Sequence, residues 1–245
     1  MRQTLVRLVY PYGRVRRVLR GPARGLRFVV APGIGSTYAW GTRAAAPRHF
    51  AEWIRPGMTV YDVGANKGQM ALVFASLVGP TGRVVSLEPA PDEYASLVRN
   101  LALNELPQVR AVQAAAAESA GSLTFTYSPA RPTQGKLQDV ETTYANPGAR
   151  TFRVMAMALD QIAIDEPPPD VIKIDVEGAA AAVLRGAREI LDRARPRIYV
   201  ELHGPEEQAG LRDELLSRGY TLQTLAGERV ADPVATWRTP LWCHA

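Results

Sequence analysis

One cysteine, three lysines and no long apolar run mark this 245-residue chain, and each scarcity removes a class of protein. Cys243 alone cannot close an internal disulfide, and a site built on several thiolates is excluded, so a reducing cytoplasm is the expected location. No apolar stretch approaches the roughly 18–20 residues that span a bilayer. The opening Leu5-Val6-Arg7-Leu8-Val9-Tyr10 is too short and too interrupted by charge for an export signal. Acid is scarce at one end only. Residues 1–55 hold eleven arginines against Glu52, a local charge of +10, whereas the remainder sums to −5. What is present in quantity is ordinary: 47% hydrophobic and 22% charged residues rule out a disordered, collagen-like or coiled-coil chain.

From residue 58 onward, short β-branched runs alternate with amphipathic stretches. The pattern predicts strands at 58–63, 83–87, 109–114, 170–175 and 197–202, and helices at 70–78, 92–103, 179–193 and 206–218. Unbroken apolar runs such as Val171-Ile172-Lys173-Ile174 suit strands covered on both faces. The expected architecture is therefore α/β, a mostly parallel sheet between helical layers. Residues 128–150 interrupt the rhythm with Pro, Gly and polar side chains, and the alternating segments 123–127 and 151–157 on either side read as a hairpin with this loop at its tip.

The first chemical signal is Asp62-Val63-Gly64-Ala65-Asn66-Lys67-Gly68, leaving a strand and entering a helix. Glycines there let the chain turn sharply and let a ligand approach main-chain N–H groups. Asn66 occupies the second glycine position of the dinucleotide fingerprint, which argues against an NAD-type pyrophosphate cradle. Glu88 ends the next strand, where an acid can bind ribose hydroxyls. Glu118, after the third strand, is a weaker candidate for an adenine amino group.

The most individual segment is Ile172-Lys173-Ile174-Asp175-Val176-Glu177-Gly178. Asp175 closes a buried-type strand, Glu177 follows it, and the next strand ends in Glu201-Leu202-His203. If these strands are neighbours, Asp175, Glu177, Glu201 and His203 converge at matched strand ends. Such a group suits general-base chemistry or a divalent metal, of which the metal is not favoured, and spacing alone does not choose between Asp175 and His203 as the base.

Taken together, Val60–Gly68, Leu87-Glu88-Pro89, Asn100–Asn104, Leu159-Asp160, Ile172–Gly178 and Val183–Ala187 resemble the FkbM-family S-adenosylmethionine-dependent methyltransferases over roughly residues 58–222. The resemblance implies a Rossmann-like class I methyltransferase domain at 58–245, preceded by a basic extension with loop and helix at 1–57. It implies S-adenosylmethionine as cofactor and a hydroxyl-bearing acceptor, often a sugar, glycan or natural product. Asp62, Gly64, Asn66 and Gly68 would line its methionine portion, Glu88 would take the ribose, and Asp175 and Glu177 would lie nearest the transferred methyl. Asp175 is the first candidate base and His203 the second. The chain departs from the family at Gly41-Thr42-Arg43-Ala44, where members often carry an acid in place of Ala44.

Two further readings follow from the charge distribution. A nucleic-acid methyltransferase would use the basic N-terminus against phosphates, but no N-P-P-Y-like motif follows the fourth strand and Cys243 is badly placed for pyrimidine attack. A non-catalytic ligand-binding scaffold is the other alternative. Residues 1–27 interleave arginines with apolar residues, and Pro11 and Gly13 break any helix there. That arm either packs on the domain or makes peripheral contact with an anionic membrane, at its inner face for a cytoplasmic protein.

Overall fold

The computed structural model describes residues 11–31, 45–127, 136–137, 150–203, 206–231 and 240–245. In chain order the strands are β1 (Val15–Arg17), β2 (Arg27–Val29), β3 (Thr59–Val63), β4 (Arg83–Leu87), β5 (Val109–Val112), β6 (Ala115–Ala116), β7 (Gly121–Tyr127), β8 (Lys136–Leu137), β9 (Arg150–Met157), β10 (Val171–Asp175), β11 (Arg197–Glu201), β12 (Thr221–Thr224), β13 (Arg229–Val230) and β14 (Leu241–His244). The helices are α1 (Ala45–Trp53), α2 (Gln69–Val78), α3 (Pro91–Ala102), α4 (Leu159–Ile162), α5 (Ala180–Arg185), α6 (Arg188–Arg193) and α7 (Glu206–Glu214).

The principal sheet has the order β13-β12-β14-β11-β10-β3-β4-β5. Strands β5, β4, β3, β10 and β11 run parallel, and β14 is antiparallel to both neighbours. The chain moves outward from β3 to β5 and then returns to β10, so the order reverses between β3 and β10. In open α/β sheets, ligands bind outside the carboxyl ends at such a reversal. Strand periodicity divides the core. Val60, Val84, Val171, Tyr199 and Trp242 pack on Phe28, Phe50, Ile54, Leu72 and Phe74 on one face. Tyr61, Val85, Ile172, Ile174 and Ile198 pack on Val183, Leu184, Leu191 and Leu211 on the other.

The expected βα rhythm is present, with three differences. The helix expected over 179–193 is two helices, because Gly186 lies against the Ala117 carbonyl, where a Cβ would sit 2.0 Å from the oxygen. The chain restarts as α6 with help from Asp160, whose carboxylate accepts the Glu189 and Ile190 N–H groups at 3.0 Å each. Two orphan donors of a helix start are thus satisfied by a residue from elsewhere in the chain. The helix expected over 206–218 ends at Glu214 and continues as a 3₁₀ turn, Leu216–Arg218. Finally, β12 to β14 complete the sheet although their sequences carry no strand-like alternation.

A second sheet, order β6-β9-β7-β8, contains the expected hairpin: β7 and β9 pair antiparallel from Gly121↔Ala156 to Tyr127↔Arg150. Most of its tip, like Gly41–Ala44 and residues 1–10, lies outside the described residues. At the N-terminus, β1 and β2 pair antiparallel, and β2 is gripped by α3. The Val29 N–H donates to Asn100 Oδ1 at 2.8 Å, and the Arg27 carbonyl accepts from Asn104 Nδ2 at 2.7 Å. Among the described residues, no helix is long and apolar enough to cross a membrane.

The contrast between glycines gives a test of this packing. Gly186→Ala forces a Cβ onto a backbone carbonyl and is expected to cost about 2 kcal/mol or more, a fall of roughly 5 °C in Tm for a chain of this size. Gly121→Ala, with nothing within 4 Å, should leave the melting curve in place. Thermal denaturation followed by circular dichroism compares the two, and equal melting temperatures would refute the close approach at Gly186.

Candidate active site

The carboxyl ends of β3, β4, β10 and β11 bring together the residues read from the sequence, Glu118 excepted, and one that was not, Lys173. Lys173 lies beside Asp62 across the parallel pair, and Asp175 is the register partner of Glu201. Lys173 is 4% exposed and Asp62 wholly buried. The Lys173 ammonium stands 3.2 Å from Asp62 Oδ1 and 3.5 Å from Asp175 Oδ2. It donates to the Gly64 carbonyl at 2.7 Å. Burial opposes the charge on Lys173, but Asp62 and Asp175 outweigh it and raise its pKa. Burial likewise pushes the Asp62 carboxyl up, against the pull of Lys173. Neither Asp62 oxygen receives a well-aligned hydrogen bond from the protein, so a buried acceptor beside the sheet's reversal stays open to a ligand donor.

The turn after β3 is shaped by left-handed backbone: Gly64, Asn66 and Gly68 have φ of 77°, 49° and 84°. Gly64 admits no side chain, since a Cβ would lie 2.0 Å from the Asp175 carbonyl oxygen. This binds the turn to the end of β10. Glu88 closes it from the other side. Its two oxygens accept the Asn66 N–H at 2.8 Å and the Ala90 N–H at 2.9 Å. Burial pushes its pKa up to about 7 despite those two bonds. Ala90 packs in turn on Ala115, Phe125 and Val154, so the second sheet stands beside this turn.

On the β11 side, His203 lies between two acids, its Nε2 3.2 Å from Asp175 Oδ1 and its Nδ1 3.5 Å from Glu177 Oε2. Burial disfavours its charge, but Asp175 and Glu177 raise its pKa to about 9. It is therefore an imidazolium at neutral pH. Asp175 is only half-buried, and although desolvation opposes its charge, Lys173 and His203 lower its pKa. Glu201 is shifted upward by burial and by Asp175, and accepts the Tyr199 hydroxyl at 2.6 Å. Single ligand atoms of Asp175, Glu201 and His203 lie within 4.8 Å of one another, close enough to share a divalent ion.

The expected convergence of Asp175, Glu177, Glu201 and His203 is thus found. Glu118 is not brought to it: its exposed carboxylate accepts Arg185 Nε at 2.6 Å. Two contributors escaped the sequence reading. Lys173 had a signal, a cation within a buried apolar run, since a charge in such a strand must be paired. Glu207, wholly buried, had none; it accepts the Ala180 N–H at 2.9 Å and the His203 N–H, fixing the backbone that carries the imidazole.

The raised His203 pKa makes the ion pair measurable. Below about pH 6.5 it adds stability, and that contribution is lost as pH climbs through about 9. An NMR titration of the three histidines should find one midpoint near 9, falling toward the ordinary value of about 6.5 in Asp175→Asn. A wild-type midpoint already near 6.5 would mean that the Asp175–His203 pair does not persist in solution.

Comparison with known proteins identifies the fold and the family. A crystal structure of the methyltransferase FkbM from Methylobacillus flagellatus KT superimposes with a TM-score of 0.52 at 19% identity, covering 83% of this chain and 51% of that one. The methyltransferase sdnD of Sordaria araneosa is 31% identical over 183 residues, covering 64% of this chain and 69% of that protein. The 31-O-demethyl-FK506 methyltransferase FkbM of Streptomyces tacrolimicus is 42% identical over 82 residues, 34% of this chain and 30% of its own length. The fold is the Rossmann-like class I methyltransferase fold. With residues 62–222 matching the methyltransferase FkbM domain, from the buried Asp62 through the Asp175–His203 cluster to β12, the chain belongs to the FkbM methyltransferase family.

Proposed function

We propose that this methyltransferase moves the methyl group of S-adenosylmethionine to a hydroxyl oxygen of a neutral small molecule, such as a sugar, a glycan or a natural product. The observation that carries the reading is the adjacency of two sites at one sheet reversal. On one side are the Gly64–Gly68 turn and Glu88, and on the other the Asp175–Glu177–Glu201–His203 cluster, with Lys173 between them. The residues fit the cofactor. The buried carboxylate of Asp62, which lacks a well-aligned protein donor, suits its ammonium group, and each Glu88 oxygen keeps a lone pair for a ribose hydroxyl beyond its backbone bond.

When bound, S-adenosylmethionine supplies a methyl on a sulfonium whose leaving group is a neutral thioether, so no general acid is required. What remains for the protein is to position the acceptor, a contribution that can reach about 7–11 kcal/mol, and to receive its proton. Both His203 nitrogens face carboxylates and the ring is charged at neutral pH. Asp175 is then the acceptor of the hydroxyl proton, and His203 and Lys173 hold its carboxylate in place. A weak base suffices, because the proton becomes strongly acidic as the acceptor oxygen gains its new bond to carbon. The surroundings also select the acceptor. Asp62, Asp175, Glu177 and Glu201 stand against Lys173 and His203, a balance that repels phosphodiesters and favours neutral hydroxyl compounds over nucleic acid.

Asp175→Asn should lower kcat by about 10²- to 10⁴-fold while cofactor affinity, measured by calorimetry, changes little. Wild-type turnover in that variant would remove Asp175 from catalysis. Activity abolished by EDTA and restored by Mg²⁺ would instead assign the hydroxyl's activation to an ion on Asp175, Glu201 and His203.

Glu88 makes a separate prediction. Glu88→Gln should weaken S-adenosylmethionine binding by about 1.5–3 kcal/mol. Because protonation near pH 7 removes an acceptor, wild-type affinity should fall between pH 8 and pH 6 and the variant's should not. Equal affinities of the two proteins at pH 8 would refute the ribose role.

A further inference from the structure

We propose that the β1–β2 hairpin is a docking surface for an anionic lipid bilayer. The register pairs Val15 with Val29, Arg16 with Phe28 and Arg17 with Arg27, so alternate pairs face opposite ways. Phe28 is 1% exposed and belongs to the core. The face carrying Val15, Arg17 and Arg27 is therefore turned outward. Six large apolar side chains are exposed among the described residues, and three of them, Tyr12, Val15 and Leu19, belong to this one hairpin. Residues 11–31 also carry six arginines and no acid. No side-chain partner is found among the described residues for Arg14, Arg24 or Arg27, and Arg17 donates to the Gly25 carbonyl.

Basic charge by itself would suit any polyanion, and the interleaved apolar side chains decide between them. Of the three exposed apolar side chains only Tyr12 has a ring on which a nucleic-acid base could stack; Val15 and Leu19 are aliphatic and offer no such face. At a bilayer surface the same side chains enter the boundary between headgroups and acyl chains, Tyr12 sits at headgroup level, and arginines meet anionic headgroups. The hairpin is held against the domain by Asn100 of α3 and by Asn104 in the turn that follows it, so the outward face is presented without an ordering step. The attraction is local: residues 56–245 sum to −5, so the rest of the chain gives no reason for adhesion to an anionic surface.

The test is co-sedimentation of the full chain with vesicles of phosphatidylcholine alone or mixed with phosphatidylserine, across a salt series. Retention is expected only on the mixed vesicles, declining with salt. The combined Arg14→Gln, Arg17→Gln and Arg24→Gln variant should partition on the order of a hundredfold more weakly. Val15→Asn with Leu19→Asn should lose several-fold at fixed charge. All five positions are exposed and lie outside the methyl-transfer site. Unchanged calorimetric affinity for S-adenosylmethionine, or an unchanged melting temperature should the protein not bind it, certifies the variants as folded. Retention independent of lipid charge, or equal retention of the arginine variant, overturns the proposal. So does an arginine-dependent gel shift of single-stranded RNA accompanied by full vesicle retention of the Val15→Asn, Leu19→Asn protein, which would assign the surface to nucleic acid.

Discussion

A lysine ammonium cannot leave water without a partner, and the partners of Lys173 define the site. Its neighbours are a carboxylate from β3, another from the end of its own strand, and the carbonyl of the residue that begins the glycine turn. A pairing of this kind adds little net stability compared with an apolar core, because desolvation consumes most of the attraction. What it contributes is geometry. Asp62, Gly64 and Asp175 are fixed relative to one another at the reversal of strand order; the turn starts at Gly64, His203 pairs with Asp175, and Glu88 joins through the Asn66 N–H of the turn. Removing one partner would leave an uncompensated buried charge, so the arrangement is all or nothing.

Most of the frame was legible in the sequence because it obeys local rules. Strands β3, β4, β10 and β11 are covered on both faces and read as apolar runs; the turn between β3 and α2 needs glycine where φ is positive. The meeting of Asp175 with His203 follows from matched strand ends, a consequence of parallel register that needs only the assumption that β10 and β11 are neighbours. What was not legible depends on tertiary contact. Nothing near Gly186 says that the Ala117 carbonyl lies against it. Strands β12 and β14 are only four residues each, and β14 gains its place by insertion between β12 and β11, a pairing that no local pattern announces. Glu207 is one acid among several on α7, and only the fold singles it out by burying it beneath Ala180 and His203.

Charge is divided within the molecule in a way that the net value of +5 conceals. The carboxyl end of the sheet gathers carboxylates around two cations, while the N-terminal hairpin gathers arginines without acids. The same polyanion could not be welcome at both. An acceptor that reaches Asp175 must be tolerated by that acidic surround, whereas whatever meets the hairpin must tolerate a dense positive field. Two ligands of different charge, one for each surface, resolve this opposition more simply than one extended substrate running across both.

The two surfaces are nevertheless joined mechanically through Asn100. Its side-chain carbonyl accepts the Val29 N–H of the hairpin at 2.8 Å, and its amide group donates to the Lys67 carbonyl of the glycine turn at 2.8 Å. Lys67 in turn places its ammonium 3.4 Å from the buried Glu93 of the same helix. The family match begins at Asp62, yet the turn that follows Asp62 is braced by a side chain whose other half is satisfied, among the described residues, by the Val29 N–H of the hairpin. Deprived of the hairpin, Asn100 would keep one buried acceptor without its donor, at a cost of about 1–3 kcal/mol, and would be free to reorient away from Lys67. The basic extension is therefore part of the structural support of the turn after β3.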